Sequence, residues 1–230
     1  MDVMTLAAAI DQTLLRPTAG FVETDAWCAA NSDKGFATLC VAPAAVPVAV
    51  KHVGDGPTRV CAVVGFPLGY ATTGTKTAEA AQLVIAGARE IDMVIHIGAL
   101  LEGDNEYVLR DIAAVVDAVG QASVGSALVK VILETGFLDE PHIIAGCAVA
   151  KAAGADFVKT STGFGPRGAS VEDVRIMRSA VGDAMGVKAA GGIRDLAAAL
   201  AMLEAGADRL GTSAGSEILE AFSQSTAGSA

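Results

Sequence analysis

Three lysines in this chain lie where a lysine is rarely found without a chemical reason. Lys130, Lys159 and Lys188 each sit inside a short apolar run typical of a buried β-strand, namely LVKVILE, FVKTS and VKAAG. Removing an ammonium group from water costs several kcal/mol, so a buried lysine is usually paired or used in catalysis. A deprotonated lysine amine also attacks carbonyl groups to form a Schiff base. The three positions therefore indicate either an internal ion network or amine-based catalysis.

The alternation of residues along each strand indicates which way these side chains point. Successive side chains of a strand face opposite sides, and each lysine alternates with mostly apolar neighbours. Asp92 alternates in the same way with Ile91 and Met93. Since the strands are consecutive, the polar side chains are expected to converge on one cavity: Asp92, Lys130, Lys159 and Lys188.

Two neighbouring lysines would make one of them a usable nucleophile. The ordinary pKa of lysine is about 10.4, and a nearby cation with partial desolvation lowers it to about 7–8 in favourable cases. Lys159 and Lys188 are predicted on adjacent strands, so either can act on the other, and the pattern does not decide which is the nucleophile. Asp92 would move protons to and from a bound carbonyl compound. The alternative is a structural network in which Asp92 and Glu134 neutralise the lysines.

The elements that must position these residues alternate regularly along the chain. Eight strands are predicted at residues 10–14, 38–42, 59–66, 91–97, 128–135, 157–161, 187–191 and 209–212. Alanine-rich helical runs lie between them, among others at 75–88, 105–119, 141–153, 171–181 and 195–205. Such alternation predicts a parallel sheet, which is either an open doubly wound sheet or a closed barrel.

Two features favour the barrel. The first strand is not followed by a GxGxxG motif, and polar residues at alternate strand positions suit an enclosed interior. We therefore predict an α/β fold with a single (β/α)8 TIM barrel over residues 1–222 and a frayed tail over 223–230. In this fold the chemistry lies at the C-terminal ends of the strands, and phosphate binds after strands seven and eight.

Glycine-bearing loops follow the last three predicted strands, with the sequences STGFGPRG, AAGGIRD and RLGTSAG. Small residues expose main-chain N–H groups, and such groups at loops and helix N-termini bind anions. We predict a phosphate cradle formed by Gly163, Gly191, Gly192, Gly211, Thr212 and Ser213.

The charge of the chain limits its partners. The formal net charge is −10 and the pI is about 4.7, so binding to nucleic acid or to an anionic membrane surface is not expected. The N-terminus lacks the pattern of a signal peptide, and no run of about 18 apolar residues predicts a membrane span. A cytoplasmic protein is expected.

The cysteines and histidines show no metal-binding pattern. The four cysteines form no CxxC pair and are expected to be free thiols in a reducing compartment. His52, His96 and His142 are dispersed, although His96 is expected to face the cavity. Because no carboxylate and histidine group has ligand spacing, no metal is expected.

Eight motifs follow one another in the order IDQTLLRP, CVAP, VVGFPLG, EIDMVIHIGAL, LVKVILETG, ADFVKTSTGF, VKAAGGIR and DRLGTSAG. In these motifs the chain resembles the deoxyribose-phosphate aldolase family over essentially its whole length. The resemblance implies a class I aldolase on a (β/α)8 barrel that needs no metal or cofactor. Its reaction would be the reversible cleavage of 2-deoxy-D-ribose 5-phosphate to acetaldehyde and D-glyceraldehyde 3-phosphate, in deoxynucleoside catabolism. A homo-oligomer, dimer or tetramer, is also implied.

The resemblance assigns roles to individual residues. Lys159 would carry the Schiff base, Lys188 would perturb it and help relay protons, and Asp92 would donate and accept protons. Other pocket positions implied by the resemblance are Asp11, Thr13, Cys40 and Lys130. The chain departs from the family at His96, where Asn is common, and at Gln12, where His is usual.

Two other functions are consistent with the sequence. A class I aldolase of the same mechanism would act on another phosphosugar or on an unphosphorylated aldehyde. A non-catalytic barrel would bind a phosphorylated sugar for regulation, but such a binder needs phosphate contacts and no amine nucleophile.

Overall fold

The computed structural model describes residues 1–123 and 127–227, in which the chain forms a closed barrel of eight parallel strands. Each strand pairs with the next along the chain, and the last strand returns to pair with the first. The prediction of a single (β/α)8 barrel is confirmed. The strands are β1 (Ile10–Leu14), β2 (Thr38–Val41), β3 (Arg59–Val64), β4 (Glu90–Val94), β5 (Leu128–Ile132), β6 (Phe157–Lys159), β7 (Gly186–Ala190) and β8 (Arg209–Thr212).

Helices connect the strands and cover the outside of the barrel. Several begin at a residue whose side chain accepts a hydrogen bond from a main-chain N–H of the first turn, as Asp104, Asp139, Ser170 and Asp195 do. The helices are α1 (Val3–Ala8), α2 (Phe21–Asn31), α3 (Val46–Val53), α4 (Thr73–Ile85), α5 (Ile97–Leu101), α6 (Asn105–Ala122), α7 (Glu140–Ala152), α8 (Val171–Val181), α9 (Leu196–Glu204) and α10 (Gly215–Ala227).

Strand β4 shows how alternation in the sequence creates two environments. Ile91 and Met93 are fully buried in the apolar core between the barrel and its helices. Glu90 and Asp92 face the other way, and their carboxylates reach a lysine of the barrel interior. Branched aliphatic side chains commonly fill such an interior, so the charged residues mark where this barrel is specialised.

Two aspartates fix the register of the later strands. Asp156 follows α7 in the sequence AGADFV, and its Oδ2 accepts a hydrogen bond from the main-chain N–H of Val129 at 2.8 Å. Asp208 follows α9 in the sequence AGADRL and accepts one from Val187 at 2.8 Å. Each aspartate ties the beginning of its own strand to the neighbouring strand, which holds the strand pairs β5–β6 and β7–β8 in register.

The structure differs from the sequence prediction mainly at the ends of elements. Strand β4 ends at Val94 and β6 ends at Lys159, where the chain turns into the loops of the C-terminal face. Helix α10 continues to Ala227, so residues 223–227 are helical where a frayed tail was predicted. Phe222 is buried, and its carbonyl oxygen accepts hydrogen bonds from hydroxyl groups of this last turn. The rest of the predicted tail, 228–230, lies outside the described residues.

A search of the described helices for a membrane span gave none, since each falls short of the length or the hydropathy that crossing a bilayer requires.

Candidate active site

Asp92 is the centre of a cluster of buried amines inside the barrel. Its Oδ2 atom lies 2.7 Å from the Nζ of Lys159 and 2.7 Å from the Nζ of Lys188. Its Oδ1 atom lies 2.8 Å from the Nζ of Lys130. The structure thus brings together the four residues that strand alternation placed on one side of the sheet.

Register explains why the lysines meet at one carboxylate. Lys159 and Lys188 are Cα partners across β6 and β7, and Asp92 and Lys130 are partners across β4 and β5. Parallel neighbouring strands hold such partners about 4.8 Å apart. Long lysine side chains from these positions therefore reach a shared oxygen atom without distortion of the sheet.

Of these three lysines, only Lys159 reaches the open cavity at the C-terminal face. It is 3% exposed, whereas Lys130 and Lys188 are 0% exposed. Lys188 is also paired with Asp11, at 2.5 Å, and Lys130 with Glu90, at 2.6 Å. Geometry therefore distinguishes two lysines that the sequence pattern left equivalent, since only Lys159 can contact a molecule in the cavity.

The charges of the cluster stabilise one another. Burial would lower the pKa of Lys188, but the carboxylates of Asp11 and Asp92 outweigh burial and raise it. Burial would likewise raise the pKa of Asp92, but the ammonium groups of Lys130, Lys159 and Lys188 hold it well below its usual range. In the resting site Lys188 is therefore a cation at neutral pH, and Asp92 is an anion beside Lys159.

The cavity above Lys159 has a volume of about 480 Å³ and carries small residues at one end. Thr13 of β1 also lines it, as do Arg16 and Arg194. Gly191 and Gly192 adopt φ angles of 90° and 80°, a region that residues with a Cβ rarely adopt. All the residues predicted to form a phosphate cradle line this cavity: Gly163, Gly191, Gly192, Gly211, Thr212 and Ser213.

Other predicted pocket residues lie beneath the cavity or support its wall. Asp11 and Cys40 are fully buried below Lys159, and Cys40 lies beside Cys61 and Asp92. Gln12 points away from the barrel axis, where its Oε1 accepts a hydrogen bond from the N–H of Gly215 at 3.0 Å. Gln12 therefore supports the loop after β8 from behind and does not line the cavity itself.

His96 does not face the lysines, contrary to the expectation from strand alternation. Because β4 ends at Val94, His96 begins helix α5, and its Nδ1 accepts a hydrogen bond from the N–H of Ala99 at 3.1 Å. It lines a second, apolar cavity of about 360 Å³ beside the first, together with Pro67, Leu68, Tyr70 and Phe137.

Glu134 lines the second cavity. Its carboxylate is buried and accepts hydrogen bonds from the N–H and the hydroxyl of Thr162, which lines both cavities. Burial raises the pKa of Glu134, and the hydrogen bonds from Thr162 and the charge of Lys159 oppose this rise. Glu134 therefore orders the β6 loop rather than serving as a hydrogen-bond partner for the lysine cluster.

Two residues of the cluster were missed by sequence reasoning. Glu90 lies two positions before Asp92 on the same side of β4, and Arg209 lies two positions before Gly211 on β8. Arg209 is paired with Asp11 at 2.6 Å and with Glu90 at 3.4 Å. Strand alternation places both residues on the same side as the cluster. Each is the first residue of its strand, however, where a charged residue is common and gives no sign of a site.

One group of donor atoms in the described residues is compact enough to hold a metal ion. The nearest atoms of Cys40, Cys61 and Asp92 all lie within 4.8 Å of one another. Three ammonium groups already surround the Asp92 carboxylate, however, and their charge opposes a cation at the same place. The donor set does not fit a metal centre, and the absence of a metal requirement stays a prediction.

The chain is similar to known proteins over nearly its whole length. A family model described as DeoC/LacD family aldolase matches residues 5–221. This chain belongs to the DeoC/LacD family of aldolases. A deoxyribose-phosphate aldolase from Caldanaerobacter subterraneus subsp. tengcongensis is 50% identical over 219 residues, which cover 95% of this chain and 94% of the relative. One from Thermococcus gammatolerans is also 50% identical, with 94% and 96% of the two chains covered.

Solved structures of the family agree with the fold. The deoxyribose-phosphate aldolase of Aeropyrum pernix, which is described as tetrameric, has a TM-score of 0.87 and 35% identity to this chain. The match covers 96% of this chain and 92% of that one. This aldolase therefore shares the barrel fold of this protein over nearly the whole chain.

Proposed function

We propose that this protein reversibly cleaves 2-deoxy-D-ribose 5-phosphate to acetaldehyde and D-glyceraldehyde 3-phosphate through a Schiff base on Lys159. The observation that carries the proposal is the position of Lys159, which is bonded to Asp92 at one side and open to a cavity with a glycine cradle at the other. The identity to deoxyribose-phosphate aldolases over nearly the whole chain supports the same reaction. The protein is accordingly a lyase of deoxynucleoside catabolism.

The first chemical step joins the amine to the sugar. The Nζ of Lys159 attacks the C1 aldehyde, and loss of water from the resulting carbinolamine gives a protonated imine. The imine then accepts the electron pair of the C2–C3 bond, while the C3 hydroxyl passes its proton to the Asp92 carboxylate. Glyceraldehyde 3-phosphate leaves, and the enamine that remains takes a proton at C2 and is hydrolysed to acetaldehyde and free Lys159.

Asp92 and Lys188 would serve these proton transfers. Asp92 Oδ2 lies 2.7 Å from both Nζ atoms, so a proton leaving Lys159 has an acceptor in direct contact. The fixed charge of Lys188 beside Lys159 disfavours a second ammonium group and so favours the free amine that must attack. We assign Lys130 and Asp11 to holding Asp92 and Lys188 in place.

The phosphate end of the substrate would lie in the glycine cradle. Main-chain N–H groups of a positive-φ turn form an anion-binding concavity, and Gly191 and Gly192 make such a turn at the start of the chain leading into α9. Gly163, Gly211, Thr212 and Ser213 complete the wall, and Arg194 adds a positive charge at the rim. Thr13 lines the same cavity, and Cys40 lies beside Asp92 in the barrel interior.

Trapping the Schiff base tests the proposal directly. Incubation with acetaldehyde and borohydride reduces the imine to a stable secondary amine, which mass spectrometry locates in a digest. We expect a single adduct at Lys159 and none in Lys159→Ala, with the exposed-lysine variant Lys51→Ala as the matched control. An adduct on Lys188, or none at all, would contradict the assignment.

Substrate comparison separates this function from its alternatives. If the protein is a class I aldolase of the same mechanism for another phosphosugar or an unphosphorylated aldehyde, it would cleave that compound with a higher kcat/KM than 2-deoxy-D-ribose 5-phosphate. A non-catalytic binder would bind the phosphorylated sugar without cleaving it. Cleavage assays with the three classes of compound distinguish these outcomes.

We also propose a homo-oligomer, dimer or tetramer, as the relative from Aeropyrum pernix supports. The four cysteines are free and buried, which fits the reducing conditions of the cytoplasm. Light scattering on the purified protein would establish the number of subunits.

A further inference from the structure

Beneath the lysine cluster lies an ion pair that the reaction described above does not use. Glu90 is 2% exposed, the side chain of Arg209 is 14% exposed, and the two groups are 3.4 Å apart. Both face the barrel interior at the first position of their strands. The guanidinium of Arg209 also lies over the ring of Phe157, 5.7 Å from its centroid. The pair is therefore held firmly on more than one side.

Each member of this pair holds a different part of the cluster. Arg209 Nη1 is 2.6 Å from Asp11 Oδ1, and Asp11 Oδ2 is 2.5 Å from the Nζ of Lys188. Glu90 Oε2 is 2.6 Å from the Nζ of Lys130, which also lies 2.8 Å from Asp92 Oδ1 and 3.5 Å from Asp11 Oδ2. Two chains of contacts thus run from the pair to Asp92, one through Lys188 and one through Lys130.

The charged and titratable groups around Lys159 come from several strands of the barrel. Asp92 of β4 contacts it, Lys130 of β5 and Lys188 of β7 share the same carboxylate, and Glu134 and Cys40 are near enough to interact with its charge. Asp11, Glu90 and Arg209 form the layer behind these groups.

Burial alone would lower the pKa of Arg209, but the carboxylates of Asp11 and Glu90 raise it, so its charge is permanent.

We propose that Glu90 and Arg209 are positioning residues that set the charge around Lys159 and thereby the pH at which it forms a Schiff base. The proposal rests on the aldolase function proposed above. Neither residue contacts the cavity, so each acts through Asp11, Lys130 and Lys188. Activity falls at low pH where Lys159 is protonated, and this part of the pH profile is called the acid limb below. Because Glu90 and Arg209 carry opposite charges, removing one charge must shift the acid limb in the direction opposite to removing the other.

The directions follow from electrostatics. Glu90→Gln removes a negative charge and makes the interior more positive, so Lys159 loses its proton more easily and the acid limb moves to lower pH. Arg209→Gln removes a positive charge, so the limb moves to higher pH. At an effective dielectric constant of about 20, one buried unit charge beyond direct contact is expected to shift the limb by about one pH unit.

The experiment measures kcat/KM against pH for the wild type, Glu90→Gln, Arg209→Gln, the charge-conserving Arg209→Lys and the double variant Glu90→Gln/Arg209→Gln. Borohydride trapping with acetaldehyde is repeated across the same pH range. We expect opposite shifts in the two charge-removing single variants, a limb near that of the wild type in Arg209→Lys, and a cancelled shift in the double variant. Partial misfolding lowers the rate without moving the limb, so the readout depends on the charge.

The outcomes separate the two proposals. If the wild type itself gives no adduct and no cleavage, the aldolase function is wrong. If the wild type reacts but the two single variants keep its acid limb, or shift it in the same direction, the role of Glu90 and Arg209 is overturned. Inactive single variants with recovery in the double variant would show that the pair serves folding alone, and would also overturn it.

Discussion

Lys76 donates a hydrogen bond to the main-chain oxygen of Val94 over 2.9 Å, at the end of the strand that carries Asp92. The same ammonium group is paired with Asp111 at 2.6 Å, and both side chains are 0% exposed. Thr73 donates its hydroxyl proton to the other oxygen of Asp111, at 2.7 Å. A buried ion pair between α4 and α6 therefore anchors β4 from outside the barrel.

Removal of Lys76 alone is expected to destabilise the fold strongly. Lys76→Met leaves Asp111 buried without its cation, which costs about 3–5 kcal/mol in the free energy of unfolding. The double variant Lys76→Met/Asp111→Leu removes both charges and is expected to lose less. Urea unfolding followed by circular dichroism measures both values. A double variant less stable than Lys76→Met would contradict this account.

Lys188→Met is expected to slow the reaction and to change its pH dependence. The loss of a fixed cation beside Lys159 favours the ammonium form, so the acid limb of kcat/KM should move to higher pH. The rate at neutral pH should fall by about tenfold for each pH unit that the acid limb moves, because the fraction of free amine falls by that factor. The control is Lys51→Met, on the exposed face of α3, which should leave the profile unchanged. An active Lys188→Met enzyme with the wild-type profile would refute the role.

The carboxylates of the cluster predict how stability depends on pH. Burial would raise the pKa of Asp11, but Lys188, Lys130 and Arg209 lower it, and Asp92 is lowered in the same way. A depressed folded-state pKa contributes stability that is present above the unfolded pKa of about 3.9 and is lost as the pH falls below it.

We therefore expect the unfolding free energy to be maintained at pH 5–7 and to fall steeply below about pH 4. Asp11→Asn should be less stable at neutral pH and should lose less stability between pH 5 and pH 3. Urea unfolding at a series of pH values tests both statements. Parallel curves for the variant and the wild type would show that Asp11 does not contribute in this way.

Arg194 is expected to contribute to binding of the phosphate group but not of the sugar. Arg194→Gln should raise KM for 2-deoxy-D-ribose 5-phosphate by about tenfold, since a hydrogen bond to a charged group contributes about 1.5–3 kcal/mol and this one is exposed at the rim. Turnover of unphosphorylated deoxyribose should not change. Arg175→Gln, on the exposed side of α8, is the matched control. If Arg194→Gln impaired the reaction of both sugars equally, Arg194 would not bind the phosphate group.

Much of the site followed from the period of a β-strand. The pleat turns every second side chain inwards, so the polar positions of four short strands had to meet if those strands were neighbours. The same alternation would place Glu90 in the interior. The strand was predicted to begin at residue 91, however, so Glu90 was not counted as part of it. Arg209 was inside the predicted strand 209–212, but a charged residue at the first position of a strand gave no reason to place it in the barrel interior.

Other features depend on contacts that the order of residues does not reveal. Lys159 and Lys188 have equivalent sequence contexts, and only the depth of each Nζ below the cavity separates them. His96 was assigned to the lysine cavity because strand alternation was extended past Val94. Its side chain instead caps α5, and a cap in this position depends on where the strand ends rather than on strand period.

The pairing of β1 with β8 has a consequence for protein synthesis. Gln12, near the beginning of the chain, holds Gly215 through its side-chain oxygen, while Ile10 and Asp11 pair with Leu210 and Gly211. The wall of the cradle is thus made by joining the first strand to the last. A nascent chain still lacking β8 would have only part of the proposed phosphate cradle, so we expect sugar binding on the ribosome to begin when the eighth strand emerges and the barrel closes.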